Sequence, residues 1–253
     1  MSNNNYLSRL HSQYLHQSLW TEKNREYLLK IAGVNRNSRI LEVGCGTGAI
    51  LKDIQKQLPL CYGIDIDFPS LLFARTDQEI HHLTLADALS LPFPDHYFDL
   101  SLCHYFLLWV QDKNRALKEM IRVTRNGGAV IAFAEPDHRS RIDYPSNLEE
   151  IGHLQNLSLI KQGADITIGR KLPQIFATNG LTNIIYGVYA SEIREGDNLE
   201  AHQFEWNYLR NDLDSWIDSE QIERLIESDL KAWINRQRVL YIPTFWAIGW
   251  VDH

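Results

Sequence analysis

Leu41-Glu42-Val43-Gly44-Cys45-Gly46-Thr47-Gly48 is the stretch on which the fold turns. The residues before it, Arg39–Val43, read as a short buried strand, and Ala49–Gln57 reads as the helix that follows. A glycine-dense turn between strand and helix exposes bare backbone, and in open α/β sheets that first turn is where a small cofactor docks. The spacing narrows the ligand. A dinucleotide fingerprint runs G-x-G-x-x-G, whereas these glycines run G-x-G-x-G. No Lys-Ser/Thr pair follows, which excludes a P-loop. Glu42, inside the strand beside the turn, suits a cationic nucleoside ligand better than a pyrophosphate.

Outward from the turn, strand and helix alternate. Cys61–Ile66, His82–Ala86, Phe98–Cys103 and Ala129–Ala134 are predicted strands; Pro69–Thr76 and Asn114–Val123 are predicted helices, the second stopped by Asn126-Gly127-Gly128. Phe98–Cys103 is nearly continuous in apolar residues, the pattern of a strand covered on both faces. Alternation of this kind implies a parallel sheet with helices on both sides. Upstream, residues 6–20 carry Tyr6, Leu7, Leu10, Tyr14, Leu15, Leu19 and Trp20 at helical spacing. Thr21 is placed to cap a second helix that Gly33 ends. Downstream the rhythm breaks. Residues 146–162 and Gly169–Asn179 read as helices, Thr182–Tyr189 as a strand, 199–237 as charged helix, and Tyr241–Trp250 as a last strand. The expected organisation is one domain over 1–253: a helical lid (1–37), a cofactor-binding core (38–135), helical cover insertions (136–168 and 193–238) and the last strand (241–250).

Composition bounds the function. The chain has 253 residues, 44% of them hydrophobic, and a formal net charge of −7. Phosphate neutralisation by Lys and Arg drives non-specific nucleic-acid binding, so the acidic balance disfavours a nucleic-acid partner. No apolar run approaches the ~20 residues of a membrane helix, and Met1–Asn5 does not open a secretory signal. Three cysteines, Cys45, Cys61 and Cys103, without C-x-x-C spacing, fit a cytoplasmic protein with small buried thiols. The ten histidines form no spaced metal set, so no metal is expected.

Two further acids line up with the glycine turn. Asp65 ends the second strand, seventeen residues after Gly48, where a carboxylate can accept from both ribose hydroxyls. Asp87 ends the third strand, placed to accept from an adenine amino group. Glu42, Asp65 and Asp87 thus sit at the carboxyl ends of three neighbouring strands, and three such carboxylates repel one another unless a cation or donors lie among them. As a set these residues resemble the class I S-adenosylmethionine-dependent methyltransferases. Leu41–Gly48 matches that family's glycine motif, Gly63-Ile64-Asp65 its ribose-binding strand end, Ala86-Asp87-Ala88 its adenine-binding turn, and Phe98–Cys103 its fourth-strand motif. Glu119–Gly128 is similar to the helix and turn before the fifth strand, with Asn126 where a proline is usual. The close match covers roughly residues 38–135.

The resemblance implies a doubly wound sheet of seven strands, mostly parallel with the last antiparallel. It implies S-adenosyl-L-methionine as cofactor and S-adenosyl-L-homocysteine as product. The cofactor-binding candidates are Glu42, Gly44, Cys45, Gly46, Thr47, Gly48, Asp65, Ile66, Asp87, Ala88, Cys103 and His104. The methyl acceptor is expected to be a small molecule or short peptide, at oxygen or nitrogen. Candidate acid–base groups follow the fourth and fifth strands: His104, Glu135 and His138. Tyr105, Asp137, Arg141 and Tyr144 are candidates for holding the acceptor, and Tyr14, Trp20 and Arg25 for a lid, with Arg25 a partner for the cofactor carboxylate. Three rivals stay open: an NAD-dependent oxidoreductase with an unusual glycine loop, a non-catalytic binding module of the same fold, and a methyltransferase acting on protein or RNA.

Overall fold

The computed structural model describes residues 3–189 and 199–252. A helix, α1 (Asn3–Ile31), precedes the alternating core: β1 (Ile40–Val43), α2 (Ala49–Gln55), β2 (Cys61–Asp65), α3 (Phe68–Thr76), β3 (Leu83–Leu85), β4 (Phe98–Cys103), α4 (Lys113–Val123) and β5 (Thr124–Pro136). There follow β6 (Ile142–Tyr144), α5 (Glu149–Lys161), α6 (Ile168–Thr178), β7 (Thr182–Val188), α7 (Leu199–Leu213), α8 (Ser219–Ile234), β8 (Val239–Tyr241) and β9 (Thr244–Trp250). The main sheet runs β3-β2-β1-β4-β5-β9-β7. Six strands are parallel, and β9 lies antiparallel between β5 and β7.

The central strands are apolar because both faces are covered. Successive residues alternate between two cores. Ile40 and Ile131 pack with Leu28 of α1 and with Ile50, Leu51 and Ile54 of α2. Leu41 and Ala132 pack on the other side with Leu117 and Met120 of α4 and Leu172 and Phe176 of α6. A third core joins the cover helices: Leu148, Ile151 and Leu154 meet Trp206, Leu209, Leu213, Ile222 and Ala232.

The structure departs from the sequence expectations in three places. The N-terminal segment is one helix of 29 residues, not two. Thr21 does not cap; its hydroxyl donates to the Ser18 carbonyl one turn back, which satisfies it inside a continuous helix. Strand β5 begins at Thr124, ahead of the glycines. Helix α4 therefore stops at Val123, and the Thr124 hydroxyl donates to Met120 O while bonding the Ser101 hydroxyl at 2.7 Å. The last strand is broken at Ile242-Pro243, and its two parts enter different sheets. β9 joins the main sheet, and β8 pairs with β6; Pro243 cannot donate to a ladder. The 199–237 segment is two helices. The second opens on a capping box, with Asp218 accepting from Gln221 N and the Gln221 side chain accepting from Asp218 N. Residues 193–198 of the expected second insertion lie outside the described residues.

The cover is pinned by a buried charge network. Arg141 is bonded to Asp143 at 2.5 and 3.0 Å, and Arg238 bridges Asp143 at 2.7 Å to Asp229 at 2.5 Å. Gly152 lets α5 reach this network, since a Cβ there would stand 2.3 Å from Asp143 Oδ2. Among the described residues no helix is long and apolar enough to cross a membrane.

Candidate active site

The glycine turn is a left-handed cradle. Gly44, Gly46 and Gly48 all have positive φ, at 75°, 49° and 80°, a conformation that glycine adopts without steric cost. Gly48 is the N-cap of α2. The β1–β2 register puts Glu42 opposite Gly63, and the β2–β3 register puts Asp65 opposite Leu85. The sheet therefore carries Glu42, Asp65 and Asp87 to one carboxyl edge, as their spacing predicts. Gly46 N donates to Asp65 Oδ2 at 2.7 Å, and Asp67 N donates to Asp65 Oδ1 at 2.9 Å. Ala86 N donates to Asp65 O at 3.0 Å, which ties the Asp87 turn to the same point. Asp87 Oδ1 accepts from Leu89 N. Ile66 beside Asp65 is 74% exposed, an unusual position for isoleucine, whereas Ala88 is buried.

Glu42 is buried, and its Oε2 has no hydrogen-bond partner. Burial pushes its pKa well above the carboxylate range; Arg25 opposes the shift and Asp65 adds to it. A donor-bearing or positively charged ligand relieves this cluster, whereas a pyrophosphate adds to its charge.

Helix α1 covers the turn with a polar face. His11, Ser18, Thr21 and Arg25 are buried on it, while Tyr6, Leu19 and Trp20 on the other side are exposed. His11 Nδ1 bonds Thr47 Oγ1 at 2.9 Å. The Tyr14 ring lies over Gly46, whose Cβ would meet it at 3.2 Å. Burial and the nearby Asp65 carboxylate push the Tyr14 hydroxyl up to about 12. Trp20 faces away, edge-on to His16. Arg25 is already engaged: it donates to Asp53 Oδ2 at 2.5 Å, to Ser18 O and to Thr21 Oγ1.

Past β4 the chain bends at Tyr105, a non-glycine residue at φ 48° whose N–H reaches Ala134 O. The bend delivers three successive N–H groups to one buried carboxylate. Phe106 N and Leu107 N donate to Glu135 Oε1 at 3.0 and 2.9 Å, and Leu108 N donates to Oε2 at 3.1 Å. Burial lifts the Glu135 pKa to about 7 against the pull of those donors. Both Glu135 carboxylate oxygens are thus engaged by backbone donors. It fixes Phe106, whose ring packs so close to Gly44 that a Cβ there would stand 2.3 Å away.

The other acceptor-side candidates separate. His104 Nε2 bonds Thr21 Oγ1 at 3.3 Å, and burial, with Arg25, holds its pKa down at about 3. Cys103 is buried in the core, so only its backbone can line a ligand; burial raises the thiols of Cys45, Cys61 and Cys103, and all three are unpaired by disulfides. Asp137 is paired with Arg170, Arg141 with Asp143, and Tyr144 is exposed. Sequence reasoning missed His11, Asn24 and Tyr189. The Tyr189 hydroxyl donates to Phe133 O at 2.8 Å and accepts from Asn24 Nδ2 at 3.1 Å. The polar stripe of α1 was a readable signal for His11; nothing local marks Tyr189. Among the described residues no group of three His, Cys, Asp or Glu is placed to hold a metal ion.

A family model described as a methyltransferase domain matches residues 41–132, the segment from the glycine turn to the middle of β5. Over that segment the chain is similar to methyltransferases. An uncharacterized methyltransferase of Schizosaccharomyces pombe is 28% identical over 80% of this chain and 72% of its own length. A malonyl-[acyl-carrier protein] O-methyltransferase of Pseudescherichia vulneris is 33% identical over 42% of each chain, so the match spans less than half of that relative. In fold, the chain is similar to the phosphoethanolamine N-methyltransferase 2 of Haemonchus contortus, solved with phosphomonomethylethanolamine and S-adenosylhomocysteine. The TM-score is 0.56 at 14% identity, covering 92% of this chain and 53% of that one.

Proposed function

We propose that this methyltransferase moves the methyl group of S-adenosylmethionine to an oxygen or nitrogen atom of a small molecule or short peptide. The observation that carries the reading is the 2.7 Å bond from Gly46 N to Asp65 Oδ2, which joins the glycine turn and the second-strand acid in one cradle. Each Asp65 oxygen accepts one backbone N–H. A carboxylate has about four acceptor sites, so the pair of ribose hydroxyls still finds acceptors there. The residues present fit the cofactor. Asp65 would take the ribose, the Ile66 side chain and the Asp87-Ala88 turn the adenine. The backbone of Gly44–Gly48, Cys103 and His104 would line the rest, with the orphaned Glu42 oxygen left to accept a hydrogen bond. The reading also disfavours an NAD-dependent oxidoreductase, because the acids Glu42, Asp65 and Asp87 end neighbouring strands at one edge of the sheet.

When bound, the cofactor supplies a sulfonium-activated methyl group that needs no further activation. The protein's work is then alignment and exclusion of water. Holding two reactants in line is worth about 7–11 kcal/mol. The segment 104–108, clamped by Glu135, and the polar face of α1 with Tyr14 form the walls that do this. None of His104, Glu135 and His138 is needed as a base for an acceptor that arrives with a free lone pair.

Calorimetry of the full chain with S-adenosylhomocysteine and, separately, with NADH tests the reading. Binding of the first and not the second is expected. Binding of NADH alone overturns it.

A further inference from the structure

Past the end of β5 the chain makes a short turn, His138–Ser140, and runs under α5. There Asn156 Nδ2 donates to the His138 carbonyl at 3.2 Å, which orients the amide and leaves Oδ1 as its acceptor end. Asn156 Oδ1 and His138 Nδ1 are both buried, and neither has a hydrogen-bond partner. Buried polar atoms are satisfied in nearly all cases. Two orphans on two elements, tied together by one hydrogen bond at the carboxyl end of β5, mark a place for a ligand's polar group.

The surrounding charges say which group. Every buried arginine near this turn is already paired: Arg141 with Asp143 and Gln155, Arg238 with Asp143 and Asp229. Arg170 is closed on Asp137. Burial and Arg141 push His138 down to about 4, against the raising effect of Asp137, so its ring is neutral at pH 7. Glu205 on α7 adds another acidic group to the surroundings of Arg141 and Asp143. Among the described residues around this turn no buried arginine is left to receive a carboxylate or phosphate, and Asn156 Oδ1 can only accept.

We infer that His138 and Asn156 bind the acceptor of the proposed methyl transfer through an uncharged hydroxyl or amino group, and that the site discriminates against acids. Such a group offers a proton to Asn156 Oδ1 and a lone pair or proton to His138 Nδ1. This rests on the cofactor reading above, since β5 lies beside β4 at the cofactor edge of the sheet. Acceptor selection then differs from that implied by the name of the malonyl-[acyl-carrier protein] relative, whose malonyl group ends in a carboxylate.

The test is calorimetry of the full chain at pH 7.5 with saturating S-adenosylhomocysteine. Phenol, catechol and aniline are the neutral probes; benzoate, malonate and phenyl phosphate are the acids. The expected result is binding of at least one neutral probe about tenfold or more tighter than any acid. Asn156→Leu and His138→Phe should each weaken that probe about tenfold with unchanged S-adenosylhomocysteine affinity. Equal or tighter binding of the acids overturns the inference, as does failure of all three neutral probes. Unchanged probe affinity in both variants also overturns it, and would mean that the two atoms hold a structural water only. The wild-type comparison stands whether or not the variants fold. Failure of the wild type to bind S-adenosylhomocysteine at all is a different result and sinks the cofactor reading instead.

Discussion

Glu135 and Phe106 lie 29 positions apart in sequence, yet the Phe106 backbone N–H donates to Glu135 Oε1 at 3.0 Å. Through that bond a side chain from β5 holds the segment after β4, and the Phe106 ring holds the first glycine of the turn. The glycine turn is therefore supported from two strands away by a buried carboxylate.

Replacing Glu135 by Gln tests this support and its pH signature. The folded pKa of about 7 lies above the unfolded value near 4.5, so between those values the folded state holds the extra proton. Its contribution is fully present below pH 4.5 and is lost as pH rises through 7. His104 and His138 act in the opposite sense: their folded values of about 3 and 4 lie below 6.5, and their contribution is lost as pH falls below that. From pH 4.5 to 6.5 the two trends oppose. In Glu135→Gln the glutamate trend is gone, so urea midpoints should climb more steeply with pH across that window than in wild type. A parallel profile would show that Glu135 does not titrate there.

Asp65→Ala removes a charge-assisted acceptor from the ribose site and from Gly46 N. Affinity for S-adenosylhomocysteine should fall by about 2–3 kcal/mol, read by calorimetry. Unchanged affinity would place the ribose elsewhere.

Arg25→Met breaks the ion pair with Asp53, whose carboxylate is partly solvated. A loss of about 1–3 kcal/mol in folding stability is expected, measured by urea denaturation. A large drop in cofactor affinity with full stability would show instead that the guanidinium clamps the cofactor carboxylate.

His104 should stay neutral through the physiological range. In NMR titration of labelled histidine its ring is expected to give no transition between pH 5 and 8, because burial and Arg25 hold its pKa near 3. A midpoint near 6.5 would restore it as a candidate base.

The parts legible in the sequence are those set by local backbone demands. Positive φ at Gly44, Gly46 and Gly48, apolar runs for β1 and β4, and acids at or just past strand ends are all short-range features, and they determined the parallel sheet and the edge at which those acids gather. The sixteen residues between Gly48 and Asp65 are enough for one helix and one strand, so the β1–β2 pairing brings the two sites together without further information.

The tertiary structure alone decided which side of α1 faces inward. Helical spacing gave α1 an apolar stripe, but Tyr6, Leu19 and Trp20 of that stripe are exposed, and His11, Ser18, Thr21 and Arg25 are buried. Those polar groups find their partners in Thr47, His104 and Asp53, which helical spacing cannot anticipate. Likewise Glu135 and Asp137 read as candidates for acid–base work and for holding the acceptor, and folding spends both on distant donors and counter-charges. A buried polar group must be satisfied wherever a partner is found, and that partner is set by packing between elements, not by neighbours along the chain.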